Sequence, residues 1–196
     1  ENGFDMFLCC TGNNEADKTD YLDLFLNKRV DAIILVGSTA KEQDGSASVE
    51  AAAKRVPIIV INGLIRLPNV YCILCDEESA IAEMAKELFK RGYKDIVYIS
   101  DSTTYSGFQK LSGYKKGLAD CGIKEKPRLL IRIPDNGNEM NLAHDAIVEL
   151  ISSGEKFTAV IAADDSVAIG ALHALNEHSR RMPVIGFNNS EFSFIL

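Results

Sequence analysis

Short polar side chains follow nearly every apolar run of this sequence, and they are the residues best suited to chemistry. Amides and carboxylates stand out among them, as at Asn62, Asp164 and Asn188. Such groups donate and accept hydrogen bonds in fixed directions, which suits a ligand that carries many hydroxyl groups. The same residue types cap helices and form turns, so any one position taken alone favours capping over ligand contact.

Catalysis finds little support in the residues at these positions. Asp164 and Asp165 are adjacent, but neighbours at a helix start diverge by about 100° and need not share a target. No histidine or cysteine falls at a strand end where it could act as a nucleophile or base. The histidines His144, His173 and His178 lack a metal-ligand spacing. We therefore expect a binding protein without a cofactor or metal, and an enzyme is a distant alternative.

The cysteines fit core packing better than metal or redox chemistry. Their odd number, with Cys9 and Cys10 adjacent, is more typical of a reducing compartment than of a disulfide framework. Cys72 and Cys75 form a C-x-x-C within an extended apolar run, where their side chains should point to opposite faces of a sheet. Cys121 lies near a predicted helix end. We expect all five to be structural.

The elements that must position these groups alternate between strand and helix patterns. The predicted strands are Phe4–Cys10, Asp31–Val36, Pro57–Ile61, Val70–Cys75, Asp95–Ser100, Arg128–Ile133, Thr158–Ala163 and Pro183–Phe187. Helical spacing of apolar residues marks five helices, around residues 22–26, 81–89, 111–118, 143–151 and 168–175. The first of these should begin after Asn13-Asn14, which are good caps. The alternation predicts an α/β fold of parallel sheets flanked by helices.

In such sheets ligands bind outside the carboxyl ends of the strands. The groups at the predicted strand ends are Thr11-Gly12-Asn13, Gly37-Ser38-Thr39, Asn62-Gly63, Asp76-Glu77, Ser100-Asp101-Ser102, Pro134-Asp135-Asn136, Asp164-Asp165-Ser166 and Asn188-Asn189-Ser190. The link Asn62–Asn69 joins two strands without a helix, which suits a chain that moves between positions in a sheet or between lobes. We therefore expect a lobe boundary near Cys75–Glu77.

Composition and net charge argue against a membrane-spanning role and against direct nucleic-acid binding by this chain alone. Its 196 residues are 46% hydrophobic, as in ordinary soluble proteins, and no run approaches the roughly 18 apolar residues of a membrane span. The net charge of −7 opposes a direct grip on a nucleic-acid backbone.

Four segments together resemble the lactose-repressor (LacI/GalR) family and its periplasmic sugar-binding relatives. Asn27–Leu35 is similar to the family's R-V-D-G-I-I-L segment, and Leu111–Tyr114 to its R-L-x-G-[FYW] helix start. Thr158–Ala171 resembles T-A-[VI]-x-A-x-N-D followed by A-x-G-A, and Val184–Ser190 resembles V-[IV]-G-[FY]-D-[DN]-S. The segments occur in family order and span nearly the whole chain.

The resemblance implies two Rossmann-like lobes of the periplasmic-binding-protein-like type, with the chain incomplete at both ends. Residues 1–76 would form the N-terminal lobe without its first strand and helix, and residues 77–190 the C-terminal lobe. Residues 191–196 would begin the crossover back to the N-terminal lobe. Glu1–Phe4 is similar to the end of the absent first helix.

The resemblance also implies an effector in the cleft between the lobes. Four positions carry over as contacts, and each departs from the usual type. Asn62 stands in place of Asp, Lys110 in place of Arg, Asp164 in place of Asn, and Asn188 in place of Asp. Lysine cannot form the bidentate fork of arginine, so the pocket's chemistry is altered and the ligand is not specified.

Two aromatic residues, Tyr105 and Phe108, are further candidates to line this pocket. For Phe108, packing in the core is slightly favoured over a role in the pocket.

The implied function is the effector-binding and dimerisation domain of a cytoplasmic transcriptional regulator. Its effector would be a small sugar-like molecule, and operator DNA would be bound only through an N-terminal headpiece outside this chain. The alternative is an exported sugar-binding protein that serves a transporter. The two share a fold, so fold alone cannot decide between them.

Overall fold

The computed structural model describes residues 3, 5–11, 15–37, 46–100, 103–191 and 194. The chain divides into two compact units, Glu1–Cys75 and Asp76–Leu196. Each unit contains one sheet, of three strands in the first and four in the second. All the strand pairs are parallel and helices pack against both sheets, which confirms the predicted fold class.

The first unit alternates helices and strands up to its last two strands. Its elements are α1 (Glu15–Asn27), β1 (Ile33–Val36), α2 (Ala47–Ala53), β2 (Ile58–Ile61) and β3 (Val70–Ile73). The sheet order is β1-β2-β3, with Ile33 opposite Ile58 and Ile58 opposite Val70. As predicted, β2 and β3 are joined without a helix.

Helices cover one face of this first sheet. Ile33, Ile58 and Val60 are buried on that face against Leu22 of α1 and Val49 of α2. The alternate side chains of the edge strands point the other way and are exposed. These exposed apolar residues are Ile34, Val36, Tyr71 and Ile73.

The predicted strand Phe4–Cys10 is wrong for the residues that the structure describes. Residues 5–11 have no strand structure, and Met6, Phe7 and Leu8 are exposed. A strand is stabilised by hydrogen bonds to a neighbouring strand, and this segment pairs with none in the described part of the chain. Phe4 itself lies outside the described residues.

The helix α2 was not predicted. Its sequence is rich in alanine, so the contrast between apolar and polar positions that marks an amphipathic helix is weak. The available signal was its cap, since the Ser46 side chain accepts a hydrogen bond from the backbone N–H of Val49 at 3.4 Å.

The prediction that the cysteines pack in the core is correct for Cys72 and wrong for Cys10 and Cys75. Cys72 in β3 is half-buried and packs against the core of the first unit. Cys75 is exposed; it lies beyond the end of β3 at Ile73, and the alternation of β3 would also place it on the side of the exposed Tyr71 and Ile73. Cys10 is exposed because its segment is not paired in a sheet.

The second unit alternates helices and strands throughout. Its elements are α3 (Glu77–Lys90), β4 (Ile96–Ser100), α4 (Tyr105–Asp120), β5 (Leu130–Arg132), α5 (Glu139–Ser152), β6 (Ala159–Ala162), α6 (Asp165–Glu177) and β7 (Val184–Ile185). A 3₁₀ turn, Pro127–Leu129, precedes β5. The strand order is β5-β4-β6-β7.

Both faces of this second sheet are buried. Helices α3 and α4 pack on one face around Ile96, Tyr98 and Ile161, and helices α5 and α6 pack on the other around Val97 and Val160. Every residue of β4 and β6 is therefore buried, as expected for parallel strands with two covered faces.

Glycines allow the helices of each pair to approach closely. A Cβ on Gly113 of α4 would clash with the backbone oxygen of Glu78 in α3. A Cβ on Gly117 would lie 2.8 Å from the backbone oxygen of Ala82. These contacts fix α4 tightly against α3, and they explain the glycine of the Leu111–Tyr114 motif.

Within the described part of the chain, we find no helix with the length and apolar character that crossing a membrane requires.

Candidate functional site

Three helices of the second unit begin with side-chain caps. Asp76 accepts a hydrogen bond from Ser79 N at 3.1 Å at the start of α3, and Thr104 accepts one from Gly107 N at 3.1 Å at the start of α4. Asp164 accepts one from Val167 N at 2.9 Å at the start of α6. Because a helix that leads into a strand of a parallel sheet runs antiparallel to that strand, these helix starts lie at the carboxyl edge of the second sheet. Helix N-termini favour negative and hydrogen-bond-accepting groups.

Lys110 of α4 is the central cation of this edge. Its side chain is 7% exposed, and its Nζ donates a hydrogen bond to the backbone oxygen of Ala163 at 2.9 Å. The same Nζ lies 4.3 Å from the centroid of the Phe187 ring, a distance typical of a cation–π contact. Ala163 directly precedes Asp164, and Phe187 directly precedes Asn188. Lys110 thus contacts the residues that precede two other predicted contact positions, Asp164 and Asn188.

The loop after β7 is held against the start of α6 by Asp165. The buried Asp165 carboxylate accepts a hydrogen bond from Ser190 N at 2.6 Å. A Cβ on Gly186 would lie 2.5 Å from Asp165 Oδ1, so a larger residue would displace the Asp165 carboxylate. Asn188 and Asn189 have φ values of 91° and 51°, a conformation that asparagine tolerates better than most residues. This role of Asp165 was not predicted.

A second unpredicted pair joins α3 to α4. The Ser106 hydroxyl donates a hydrogen bond to the Glu77 carboxylate, and Glu77 is only 5% exposed. Both residues lie in the first turn of their helices. The only signal in the sequence was Glu77 at a strand end, because its partner is 29 residues away.

Asp164 has the capping role that its position favoured. Its Oδ1 also accepts a hydrogen bond from the Ser166 hydroxyl at 2.8 Å. Capping leaves acceptor capacity on a carboxylate, so this role does not conflict with ligand contact.

The two aromatic candidates lie in the first turn of α4. Tyr105 begins the helix and is half-buried. Phe108 is 44% exposed, so the preference for core packing at this position is wrong. The buried side of α4 runs through Gly107, Lys110 and Tyr114, and position 108 is turned away from it.

Asn62 belongs to the first unit. It follows β2, is exposed, and has a φ of 54°. Its backbone N–H donates to the oxygen of Ile73 at 2.9 Å, which leaves the side-chain amide outside the backbone pairing of the sheet. Residues 12–13, 38–39 and 101–102 of the predicted strand ends lie outside the described residues, as do the predicted caps Asn13 and Asn14.

The chemistry of this edge in the second unit is hydrogen bonding around one buried ammonium. Lysine supplies only donors, whereas the carboxylates of Asp164 and Glu77 supply only acceptors. Among the described residues no group of three or more histidine, cysteine, aspartate or glutamate side chains could hold a metal ion.

His144 contacts two carboxylates on the helix surface. Its ring nitrogens lie 3.0 Å from Asp145 Oδ1 and 2.9 Å from Glu177 Oε2. These neighbours raise the pKa of His144, with Asp145 the larger cause.

A family model described as periplasmic binding proteins and sugar binding domain of LacI family matches residues 1–193. The chain belongs to this family. The resemblance carried by the four sequence segments is therefore confirmed.

Its relatives in this family are transcriptional regulators. An HTH-type transcriptional regulator of Lachnoclostridium phytofermentans is 40% identical over 197 residues, which cover 97% of this chain and 58% of the regulator. The HTH-type transcriptional regulator AscG of Escherichia coli is 26% identical, over 96% of this chain and 56% of its own. The chain thus spans a little over half the length of these LacI-family relatives. They do not favour the alternative of an exported sugar-binding protein.

A similar solved structure is that of a sugar-binding transcriptional regulator of the LacI family from Escherichia coli, complexed with phosphate. It is 25% identical and superimposes with a TM-score of 0.77, over 92% of this chain and 65% of its own.

Proposed function

We propose that this chain is the effector-binding domain of a LacI-family transcriptional regulator and that its effector is a small polar molecule, a sugar or sugar derivative. The ligand would bind at the carboxyl edge of the second unit's sheet. Lys110 would donate to an oxygen of the ligand, and Asp164 and Asn188 would contact its hydroxyl groups. Tyr105 and Phe108 would pack against its apolar faces, and Asn62 of the first unit would provide a further contact.

The observation that carries this proposal is the placement of Lys110. Its ammonium contacts Ala163 and Phe187, the residues that directly precede Asp164 and Asn188, and this placement of a donor beside both segments supports a shared binding site. A buried ammonium with fixed neighbours is pre-organised, and pre-organised groups lose little freedom when a ligand binds. The related regulator from Escherichia coli described as sugar-binding supports a sugar as the ligand class.

Binding rather than catalysis follows from the same groups. The described groups next to Lys110 include an aromatic ring and, one residue after Ala163, a capping carboxylate, and such groups recognise a ligand by packing and hydrogen bonds. A chain of this family whose relatives are transcriptional regulators is accordingly proposed to act by ligand recognition.

We propose in addition that the whole protein is a cytoplasmic dimer and that a part of it outside this chain binds operator DNA. The names of the HTH-type relatives and the fraction of their length that this chain spans support this division. The net charge of −7 agrees with it, since an acidic domain is a poor partner for a phosphate backbone. Sedimentation equilibrium of the full-length protein tests the dimer, and a monomer at micromolar concentration would contradict it.

The test of the binding site is calorimetry on the full-length protein. A thermal-shift screen of D-glucose, D-galactose, D-ribose, D-xylose, cellobiose, their phosphates and inorganic phosphate first selects the ligand. Lys110→Met keeps the apolar stem of the side chain and removes the ammonium. We expect its affinity to fall about ten- to a hundredfold, because a charged hydrogen bond contributes roughly 1.5–3 kcal/mol.

Two further variants and one control complete this test. Asn62→Ala and Asp164→Asn should weaken binding by smaller factors. The loss in Asp164→Asn is small because asparagine still caps α6. Lys126→Ala removes an ammonium that is paired with Asp95 on the surface of the same unit, and it should leave affinity unchanged. Unchanged affinity in all three site variants would mean that the ligand binds elsewhere.

A further inference from the structure

The contact between Ser106 and Glu77 fixes which way the Ser106 hydroxyl points. A carboxylate has acceptor atoms only, so the single hydroxyl proton of Ser106 must be the one that lies between the two groups. Glu77 is buried in the first turn of α3. The serine oxygen keeps its lone pairs and has no further proton to offer.

Ser106 lies at the proposed site. It precedes Lys110 by four residues on α4, so the two side chains lie on the same side of the helix, one turn apart. The Ser106 turn is the one nearer the carboxyl edge of the sheet, and its side chain is only half-buried. Along one turn of α4 a ligand would therefore meet a group that only donates, Lys110, and a group that only accepts, Ser106.

Close packing holds this arrangement in place. Gly113 and Gly117 allow α4 to contact the backbone of α3 directly, and a side chain at either glycine would separate the helices. Glu78, whose backbone oxygen lies against Gly113, is the neighbour of Glu77 in the sequence. The position of the Glu77 carboxylate relative to α4 is thus set by the backbone rather than by flexible side chains.

We propose that Glu77 is a positioning residue that makes Ser106 an acceptor-only contact and thereby selects ligands with a hydroxyl donor at that point. This inference rests on the proposed function and adds to it a rule of specificity. At the Ser106 contact a sugar hydroxyl is accepted, whereas a fluorine or a methyl ether, which cannot donate, is rejected.

The test uses the full-length protein and the sugar among D-glucose, D-galactose, D-ribose, D-xylose and cellobiose that binds it most tightly. Calorimetry compares that sugar with its monofluoro and mono-O-methyl derivatives, one ring position at a time. Among the positions at which the fluoro derivative binds wild-type protein about tenfold more weakly, the loss of one hydrogen bond, we expect one to be the position that contacts Ser106.

In Glu77→Gln the discrimination at that position should largely disappear. A glutamine amide can donate to Ser106 and so release the hydroxyl proton towards the ligand. In Ser106→Ala the parent sugar itself should bind about tenfold more weakly, and its fluoro derivative no more weakly than the parent. The matched control is Glu87→Gln, on the exposed side of α3. It should keep the wild-type ratio of affinities between the parent sugar and its fluoro derivative.

The possible outcomes distinguish a failure of the Glu77 role from a failure of the proposed sugar-binding function. If a sugar binds and Glu77→Gln keeps the wild-type ratio between parent and fluoro derivative, the role of Glu77 is wrong while the binding function stands. Unchanged affinity in Ser106→Ala has the same meaning, and it decides the matter even if Glu77→Gln fails to fold. If none of the five sugars binds wild-type protein, sugar binding and this inference fail together.

Discussion

The two units contain the same kind of sheet and cover it differently. In the second unit helices pack on both faces, and every side chain of β4 and β6 is buried. In the first unit the described helices pack on one face only, and Ile34 and Ile73 on the other face are 62% and 59% exposed. Yet the strands of both units are continuous apolar runs, the pattern of a sheet with two covered faces. A continuous apolar run thus indicates that both faces of a strand are suited to burial. It does not indicate what covers each face.

A pair of substitutions sharpens this comparison most strongly. Ile99→Ala removes a fully buried side chain between the sheet and the helices of the second unit, and should lower the free energy of unfolding by about 2–5 kcal/mol. Ile34→Ala makes the same chemical change on the exposed face of β1 and should cost less than about 0.5 kcal/mol. Urea unfolding of this chain measures both. Equal losses at the two positions would show that the face of Ile34 is covered in solution.

The close packing of helices in the second unit predicts the next effect in size. A Cβ on Gly170 of α6 would clash with the backbone oxygen of Met140 in α5, and backbone atoms cannot move aside as a flexible side chain does. Gly170→Ala should therefore lower the stability of the second unit by about 1–3 kcal/mol, although alanine favours helices. The control is His173→Ala on the exposed side of α6, which should change stability little. A Gly170→Ala variant as stable as the control would contradict the tight packing of α5 on α6.

The smallest effect concerns pH and is confined to the second unit, since all three histidines lie there. Asp145 and Glu177 raise the pKa of His144 above its usual value of 6.5. Stability from this contact is fully present below that usual pKa, and it is lost as the pH rises through the raised one. Urea midpoints should therefore be slightly higher at about pH 6 than at about pH 8. His144→Gln should remove this share of the difference, and an unchanged pH dependence would assign it to other groups.

Sequence periodicity predicted the fold well where packing follows it. The spacing of Ile81, Ala85 and Leu88 identified α3 because those residues are the ones buried against the sheet. It missed α2, whose alanines give little contrast, and it assigned a strand to residues 4–10 because an apolar run does not reveal whether a partner strand lies beside it.

The candidate site was accessible from the sequence only in part. Asp164 and Asn188 could be placed at the carboxyl edge because they follow apolar runs. Lys110 came from the family resemblance alone, since nothing in its neighbourhood marks it as buried. The Glu77–Ser106 contact depends on how α3 packs against α4, so periodicity within either helix could not reveal it.

Lys110 stabilises the fold and, in the proposed function, also contacts the ligand. This affects how the ligand preference of such a domain can change in evolution. Its ammonium links α4 to the end of β6 and to the aromatic ring after β7, so replacing it alters the architecture as well as any recognition. Phe108, on the exposed side of the same helix, does not pack in the core. New ligand preferences in descendants of this protein should therefore arise first by drift at peripheral positions such as Phe108, with the lysine retained. A library randomised at both positions and selected for folding should retain lysine at 110 more often than phenylalanine at 108.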